Sequence, residues 1–154
     1  MSMKKILFVC TGNTCRSPMT EALFGRLIKE RGLDSEFTFK SAGVYAFEND
    51  PATGEAIEVM KEEYGIDISS HRAAVLDHDD IMDAWLILVM TRRHRQMILD
   101  IYPQAADKVY TLKDFAEVND NNPDVCDPFG MDYNVYKRCA GEIEELIIKI
   151  MDKL

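Results

Sequence analysis

One stretch concentrates the residue types that could do chemistry: Cys10-Thr11-Gly12-Asn13-Thr14-Cys15-Arg16-Ser17-Pro18. It follows the apolar run Ile6-Leu7-Phe8-Val9 and precedes an amphipathic run from Met19 to Arg31, so the pattern predicts strand, tight polar loop, helix. The first N–H groups of a helix lack intrahelical partners and sit at the positive end of its dipole, which makes a loop feeding them a ready anion site. Here the loop opens with a thiol and closes with a guanidinium. Oriented N–H groups and a neighbouring arginine favour a thiolate, and a planar guanidinium suits a tetrahedral oxyanion. Cys10 and Arg16, spaced as Cys-x5-Arg, therefore predict a nucleophile and an oxyanion clamp around a phosphate-sized dianion. Neither G-x-x-x-x-G-K-[ST] nor G-x-G-x-x-G occurs in the chain. A merely packed thiol at Cys10 would leave Gly12, Asn13, Arg16, Ser17 and Pro18 unexplained.

The elements that must position this loop are readable in outline. Residues 4 to 10 predict the first strand, whose run from Ile6 is apolar without alternation, as in a strand covered on both faces. Ser17 and Pro18 suit the cap and first position of the following helix, which Gly32 ends. Phe37 to Ser41 predicts a second strand with Ala42-Gly43 as its exit, and Asp50-Pro51 a helix start, with Gly65 as its stop. An irregular connection, Ile66 to Val75, leads to a short helix over Asp79 to Ala84. Trp85 to Met90 is the third strand. Thr91 caps a helix over Arg92 to Ile101 whose inward residues are Met97, Ile98 and Ile101. Lys108 to Leu112 is a fourth, short strand, and a last helix runs from about Tyr133 to the end. The polar stretch Asp114 to Pro128 is too long for an idle connector. Strands alternating with helices predict a three-layer α/β/α fold around a four-stranded, mainly parallel, twisted sheet. Ligands bind such sheets beyond the carboxyl ends of the strands, where Cys10 lies.

The chain has 154 residues, a net charge of -9 and 47% apolar residues, which suits one domain spanning residues 1 to 154 with a full core. The acidic balance argues against nucleic acid or an anionic membrane as partner. No apolar run approaches a membrane span. The opening Lys4 to Cys10 resembles a signal-peptide start but breaks too early, so a cytoplasmic protein is expected. Cys10, Cys15, Cys126 and Cys139 contain no C-x-x-C pair, and no histidine pair has a metal spacing. His78 and His94 are expected on the surface or at a helix start.

The loop, with Phe8-Val9 before it, resembles the signature of the low-molecular-weight protein tyrosine phosphatases. Ser41-Ala42-Gly43, Ser69-Ser70-His71-Arg72 and Asp127-Pro128-Phe129-Gly130 extend the resemblance over almost the whole chain. The resemblance implies a metal- and cofactor-free phosphatase acting on phosphorylated protein as a monomer. Cys10 would form a phosphocysteine intermediate. Arg16 and the loop residues Thr11, Gly12, Asn13, Thr14, Cys15 and Ser17 would hold the phosphoryl oxygens, or inorganic phosphate. Asp127 would be general acid and then base. Asn13, Ser41 and His71 would brace the loop, Ser17 would donate to Cys10, and Cys15 would pair with Cys10 under oxidation or simply pack. Tyr133 and Tyr136 match tyrosines near the acid loop.

Thr14 departs from the tyrosine-specific pattern, which places an aliphatic residue there. With one aromatic, Phe129, after Asp127-Pro128, with Val44-Tyr45-Ala46 and with Met90-Thr91 before His94, it resembles the bacterial protein arginine phosphatases of the family. Phosphoarginine is the substrate this implies, phosphotyrosine the alternative. Arsenate reductases of this fold need thiols around residues 80 to 92, where the chain has none. A phosphate-binding or redox-sensing module without catalysis remains the reading from another class; such a module has no use for Asp127.

Overall fold

The structure is a computed structural model describing residues 3–154. Four strands form its sheet: β1 (Lys4–Cys10), β2 (Phe37–Gly43), β3 (Leu86–Val89) and β4 (Val109–Thr111). All pairings are parallel, in the order β2-β1-β3-β4. Among the described residues six α-helices surround the sheet: α1 (Arg16–Glu30), α2 (Gly54–Tyr64), α3 (His78–Asp83), α4 (Arg92–Ile101), α5 (Leu112–Phe115) and α6 (Tyr133–Lys153). The expected α/β/α layering is thus observed, with every strand parallel.

The unbroken apolar run of β1 from Ile6 to Cys10 has its physical reason in two cores. Ile6, Phe8 and Cys10 face one cluster, built with Phe24 of α1, Met60 of α2 and Ile143 of α6. Leu7 and Val9 face the other, built with Ile81 of α3 and Ile98 of α4. Phe24 stands edge-on to both Phe8 and Phe39, with ring centroids 5.3 and 5.4 Å apart, geometry that adds to their area burial. The connection from β2 crosses over β1 to reach β3, so the direction of winding reverses between β1 and β3. The loops after these two strands therefore open a crevice at their carboxyl ends.

Several boundaries differ from the sequence reading. The first helix begins at Arg16 with Cys15 at its cap and no capping side chain; Ser17 lies inside it, its hydroxyl committed elsewhere. β2 extends through Gly43 because it pairs with β1 to the register Cys10↔Gly43. Asp50-Pro51 does not start a helix. Pro51 bridges Arg72, and the Asp50 carbonyl accepts the Ala73 N–H at 2.7 Å, so this segment is spent on backbone pairing and Thr53 caps α2 instead. α3 starts one residue earlier, at His78, behind an Asp77 capping box. Trp85 lies outside β3 and is exposed. Ile101 is exposed rather than inward: Ile98 of α4 is buried, and Leu99 and the capping residue Tyr102 pack half-buried against the same core. The predicted end of β4 turns into α5, capped by Thr111.

Gly43 sits where the β2 exit meets the Cys10–Pro18 loop. A Cβ there would lie 2.5 Å from the Thr11 carbonyl oxygen and 3.0 Å from the Asn13 nitrogen. Both are backbone atoms, so the loop itself would have to move. Gly43→Ala is expected to destabilise the protein by about 1–3 kcal/mol, in the range of overpacking. A lowered urea midpoint checks it.

Candidate active site

The loop turns sharply because Asn13 adopts a left-handed conformation, φ 57°, which asparagine tolerates better than most residues. Every polar group of Asn13 is used. Its backbone N–H donates to Cys10 Sγ at 3.3 Å. Its side-chain amide donates to Ser17 Oγ at 2.7 Å and Ser41 Oγ at 2.9 Å. Its Oδ1 accepts the Ala74 N–H at 2.9 Å, and its carbonyl accepts from His71 Nε2 at 2.8 Å. A carbonyl only accepts, so His71 carries its proton on Nε2. Ser41 in turn donates to Glu21.

Ser17 Oγ accepts from Asn13 and lies 2.9 Å from Cys10 Sγ. A thiolate only accepts, so with Cys10 in that form the Ser17 proton is directed at the sulfur. Two donors, Asn13 N–H and Ser17 O–H, converge on Cys10, which is only 2% exposed. Backbone bonds clamp the outside of the loop: Val44 N–H to the Cys10 carbonyl, Tyr45 N–H to that of Thr11, and Thr53 N–H to that of Thr14. Thr53 also donates to the Tyr136 hydroxyl at 3.1 Å. Burial pushes that phenol up to about 12, so it stays protonated. Tyr136 thus links α6 to the loop rather than merely opening the helix, whereas Tyr133 is turned away to donate to Glu63.

Arg16 is buried, and its fork reaches the polar stretch that ends at Pro128. Nη1 donates to the Val125 carbonyl at 3.1 Å and Nη2 lies 3.5 Å from Asp127 Oδ2. Nε is buried without a protein partner among the described residues, a donor left for an anion. Val125 N–H donates to the Met90 carbonyl, which ties this stretch to the end of β3. Upstream, the buried Lys113 of α5 holds Asp120 at 3.1 Å and the Asn122 carbonyl at 2.9 Å. The result is a cavity of about 180 Å³ with Cys10, Gly12, Thr14 and Arg16 along its floor and walls and Asp127 and Phe129 at its mouth. Such a cavity can take a tetrahedral oxyanion over the sulfur, with a carboxyl group within reach of whatever the oxyanion is attached to.

The structure brings the sequence-predicted residues Cys10 to Ser17, Ser41, His71, Asp127 and Phe129 into one constellation. Cys15 is buried, its thiol pushed up to about 12 by burial and by Cys10 and Asp127, and its S–H points to Asp127 Oδ1 at 4.0 Å. Cys10 and Cys15 are both free. His94 departs from the surface reading. It is at a helix start but buried, with Nε2 2.8 Å from Thr11 Oγ1. Glu21, Thr53, Lys113 and Val125 were not legible as site residues. Only Val125 left a trace, as an apolar residue in a polar stretch.

Comparison with known proteins agrees with this geometry. Residues 5–154 match the family described as low molecular weight phosphotyrosine protein phosphatase. A protein-arginine-phosphatase of Bacillus subtilis (strain 168) is 40% identical, covering 97% of this chain and 95% of its own. The crystal structure of a low molecular weight protein tyrosine phosphatase from T. tengcongensis is 48% identical and superimposes with a TM-score of 0.92, covering 99% of this chain and all of the other. The YwlE arginine phosphatase, in a mutant with a phosphorylated active-site serine, is 39% identical with a TM-score of 0.89, covering 97% of this chain and 95% of that one.

His94 makes a measurable signature. Burial, and then the Arg16 guanidinium, hold its imidazole down to about 4, below the ~6.5 of an unfolded histidine. The unfolded chain therefore binds a proton that the folded chain refuses. The stability this represents is full above pH ~6.5 and lost as pH falls towards 4, ~3 kcal/mol in all. Urea unfolding across that window should show the slope, and His94→Gln should flatten it. Equal slopes in the two proteins would contradict the assignment.

Proposed function

The chain belongs to the low-molecular-weight phosphotyrosine protein phosphatase family, and from that premise we propose how its residues divide the work. Cys10 Sγ attacks phosphorus as the thiolate, so an S–P bond forms while the bond to the leaving group breaks. Arg16 and the loop N–H groups hold the three equatorial oxygens, where charge accumulates in a loose transition state. Asp127 gives its proton to the leaving group. As a carboxylate it then takes one from the water that attacks phosphocysteine, which releases inorganic phosphate and restores the thiolate. The observation that carries this reading is the convergence of Asn13 N–H and Ser17 O–H on a buried sulfur, beside a guanidinium with an uncommitted Nε.

The same geometry supports a working cycle for the acid. In the free protein Asp127 rests against Arg16. A bound phosphoryl group competes for that guanidinium and frees the carboxylate, which takes up a proton and then meets the leaving group as the acid. The attacking sulfur works best in a reducing compartment, so a cytoplasmic activity fits this reading. One chain supplies the loop, the arginine and the acid, so a monomer suffices.

The preferred substrate in this reading is protein phosphoarginine, with P–N cleavage. Thr14 puts a hydroxyl on the cavity wall, where a guanidine or its water can use it and a phenyl ring cannot. The Bacillus subtilis relative and YwlE are both named arginine phosphatases. Phosphotyrosine is the second reading, favoured by the T. tengcongensis structure, named a tyrosine phosphatase at 48% identity.

Paired kinetics on phosphoarginine and phosphotyrosine peptides test both. Cys10→Ser should abolish turnover. Asp127→Asn should lower kcat about 10²–10⁴-fold on leaving groups that need a proton. Wild type should show the higher kcat/KM on phosphoarginine, and Thr14→Ile should reverse the order. A higher efficiency on phosphotyrosine that Thr14→Ile leaves unchanged would overturn the phosphoarginine assignment.

A further inference from the structure

Across the crevice from the phosphate loop, α4 carries a side chain that the scheme above does not use. His94 is 3% exposed. Its Nε2 lies 2.8 Å from Thr11 Oγ1, and its Nδ1 is buried with no protein partner among the described residues. The charged groups that face it are Arg16 from α1, Asp124 and Asp127 from the acid stretch and Arg93 from its own helix. Burial and Arg16 keep the ring neutral at ordinary pH.

A neutral imidazole has one N–H and one lone pair. An N–H on Nδ1 would be a buried donor with nothing to donate to, the costlier arrangement. The proton therefore sits on Nε2 and is donated to Thr11 Oγ1. A hydroxyl that accepts from the ring has its own proton free for another acceptor. Thr11 directly follows Cys10 and lines the cavity. Its backbone is fixed, because its carbonyl accepts the Tyr45 N–H at 2.9 Å. The acceptor such a proton would meet in the cavity is an oxygen of the bound phosphoryl group.

We infer that His94 is a positioning residue that turns the Thr11 hydroxyl into a side-chain donor for a phosphoryl oxygen. The inference rests on the phosphatase reading of this site. It adds to it a contact on the β3 side of the cavity, supplied in two steps from α4. It also gives a reason for the burial of a histidine at a helix start whose own backbone N–H is already satisfied by Thr91 Oγ1.

The test is inhibition by inorganic phosphate, measured beside KM and kcat for p-nitrophenyl phosphate. Thr11→Val should weaken phosphate inhibition about tenfold, the worth of one hydrogen bond to a charged group. His94→Leu should weaken it in the same direction. The double variant should be no weaker than Thr11→Val alone, because the two residues act as one unit. Thr11→Ser keeps the hydroxyl and His94→Gln keeps a donor near Nε2, so both should retain wild-type phosphate inhibition. Unchanged phosphate inhibition in Thr11→Val, with normal turnover, overturns this inference alone. So does a double variant whose loss is the product of the two single losses. Wild type that neither hydrolyses p-nitrophenyl phosphate faster than Cys10→Ser nor binds phosphate would overturn the phosphatase reading with it.

Discussion

The left-handed backbone at Asn13 is the constraint on which the site depends. With Asn13 in that conformation its N–H faces back to Cys10 Sγ at 3.3 Å instead of continuing the strand. Such a conformation costs an L-residue of order 1–2 kcal/mol, less for asparagine, and it persists because other segments hold it. Ser17 comes from α1, Ser41 from β2, and Ala74 and His71 from the connection after α2. That connection has little regular structure, and its course is set by what it must bond. It bridges Gly43 at Val75 and Pro51 at Arg72, and in passing delivers the Ala74 N–H and the His71 ring to Asn13. The loop is therefore a property of the whole sheet edge, not of its own nine residues.

The sheet order then decides what else can reach the sulfur. The winding reverses between β1 and β3, so the loop after β1 and the start of α4 after β3 face one another. The stretch that carries Asp127 is laid between them. Val125 bonds the Met90 carbonyl on one side and Arg16 on the other. One guanidinium thus holds the backbone of the acid stretch, touches the acid itself and keeps Nε for an anion. In the proposed scheme binding and proton transfer are coupled through that single side chain, in a protein whose net charge of -9 would otherwise repel a dianion.

What was legible in the sequence was whatever is encoded locally. The Cys10 to Pro18 string, the double-faced apolar runs of β1 and β3 and the α4 cap at Thr91 all carry their reason within a few residues. Misreadings fell where a distant partner outbid a local preference. Ser17 has the composition of a helix cap, but its hydroxyl is claimed by Asn13 and Cys10. Asp50-Pro51 has the composition of a helix start, but residues 72 and 73 take its backbone into a bridge. Ile101 fits the helical period, yet it is exposed, and the capping residue Tyr102 packs against the core instead. His94 and Lys113 were opaque for the same reason. Polar residues at a helix start or in a short turn read as surface, and only the fold shows that one is enclosed beside Thr11 and the other beneath Asp120 and Asn122.

The site is built with two different stiffnesses, and the chemistry requires both. The phosphate loop is braced from within: Asn13 and Ser17 have no exposed surface at all, and their side chains are committed to hydrogen bonds. A donor array meant for a transition state must not reorganise when charge develops. The acid stretch is pinned at Lys113 and at Val125, but beyond Val125 it surfaces: Cys126, Phe129 and Met131 are exposed, and the Asp127 side chain is 53% exposed against 5% for Arg16. An ion pair with one partner so open is screened and worth at most about 1 kcal/mol. Exchanging it for a contact with a leaving group is therefore within thermal reach, on the timescale of loop motion rather than of unfolding. Had Asp127 been buried as deeply as Arg16, the same pair would have locked the acid against the guanidinium and closed the cavity to the anion it is shaped for.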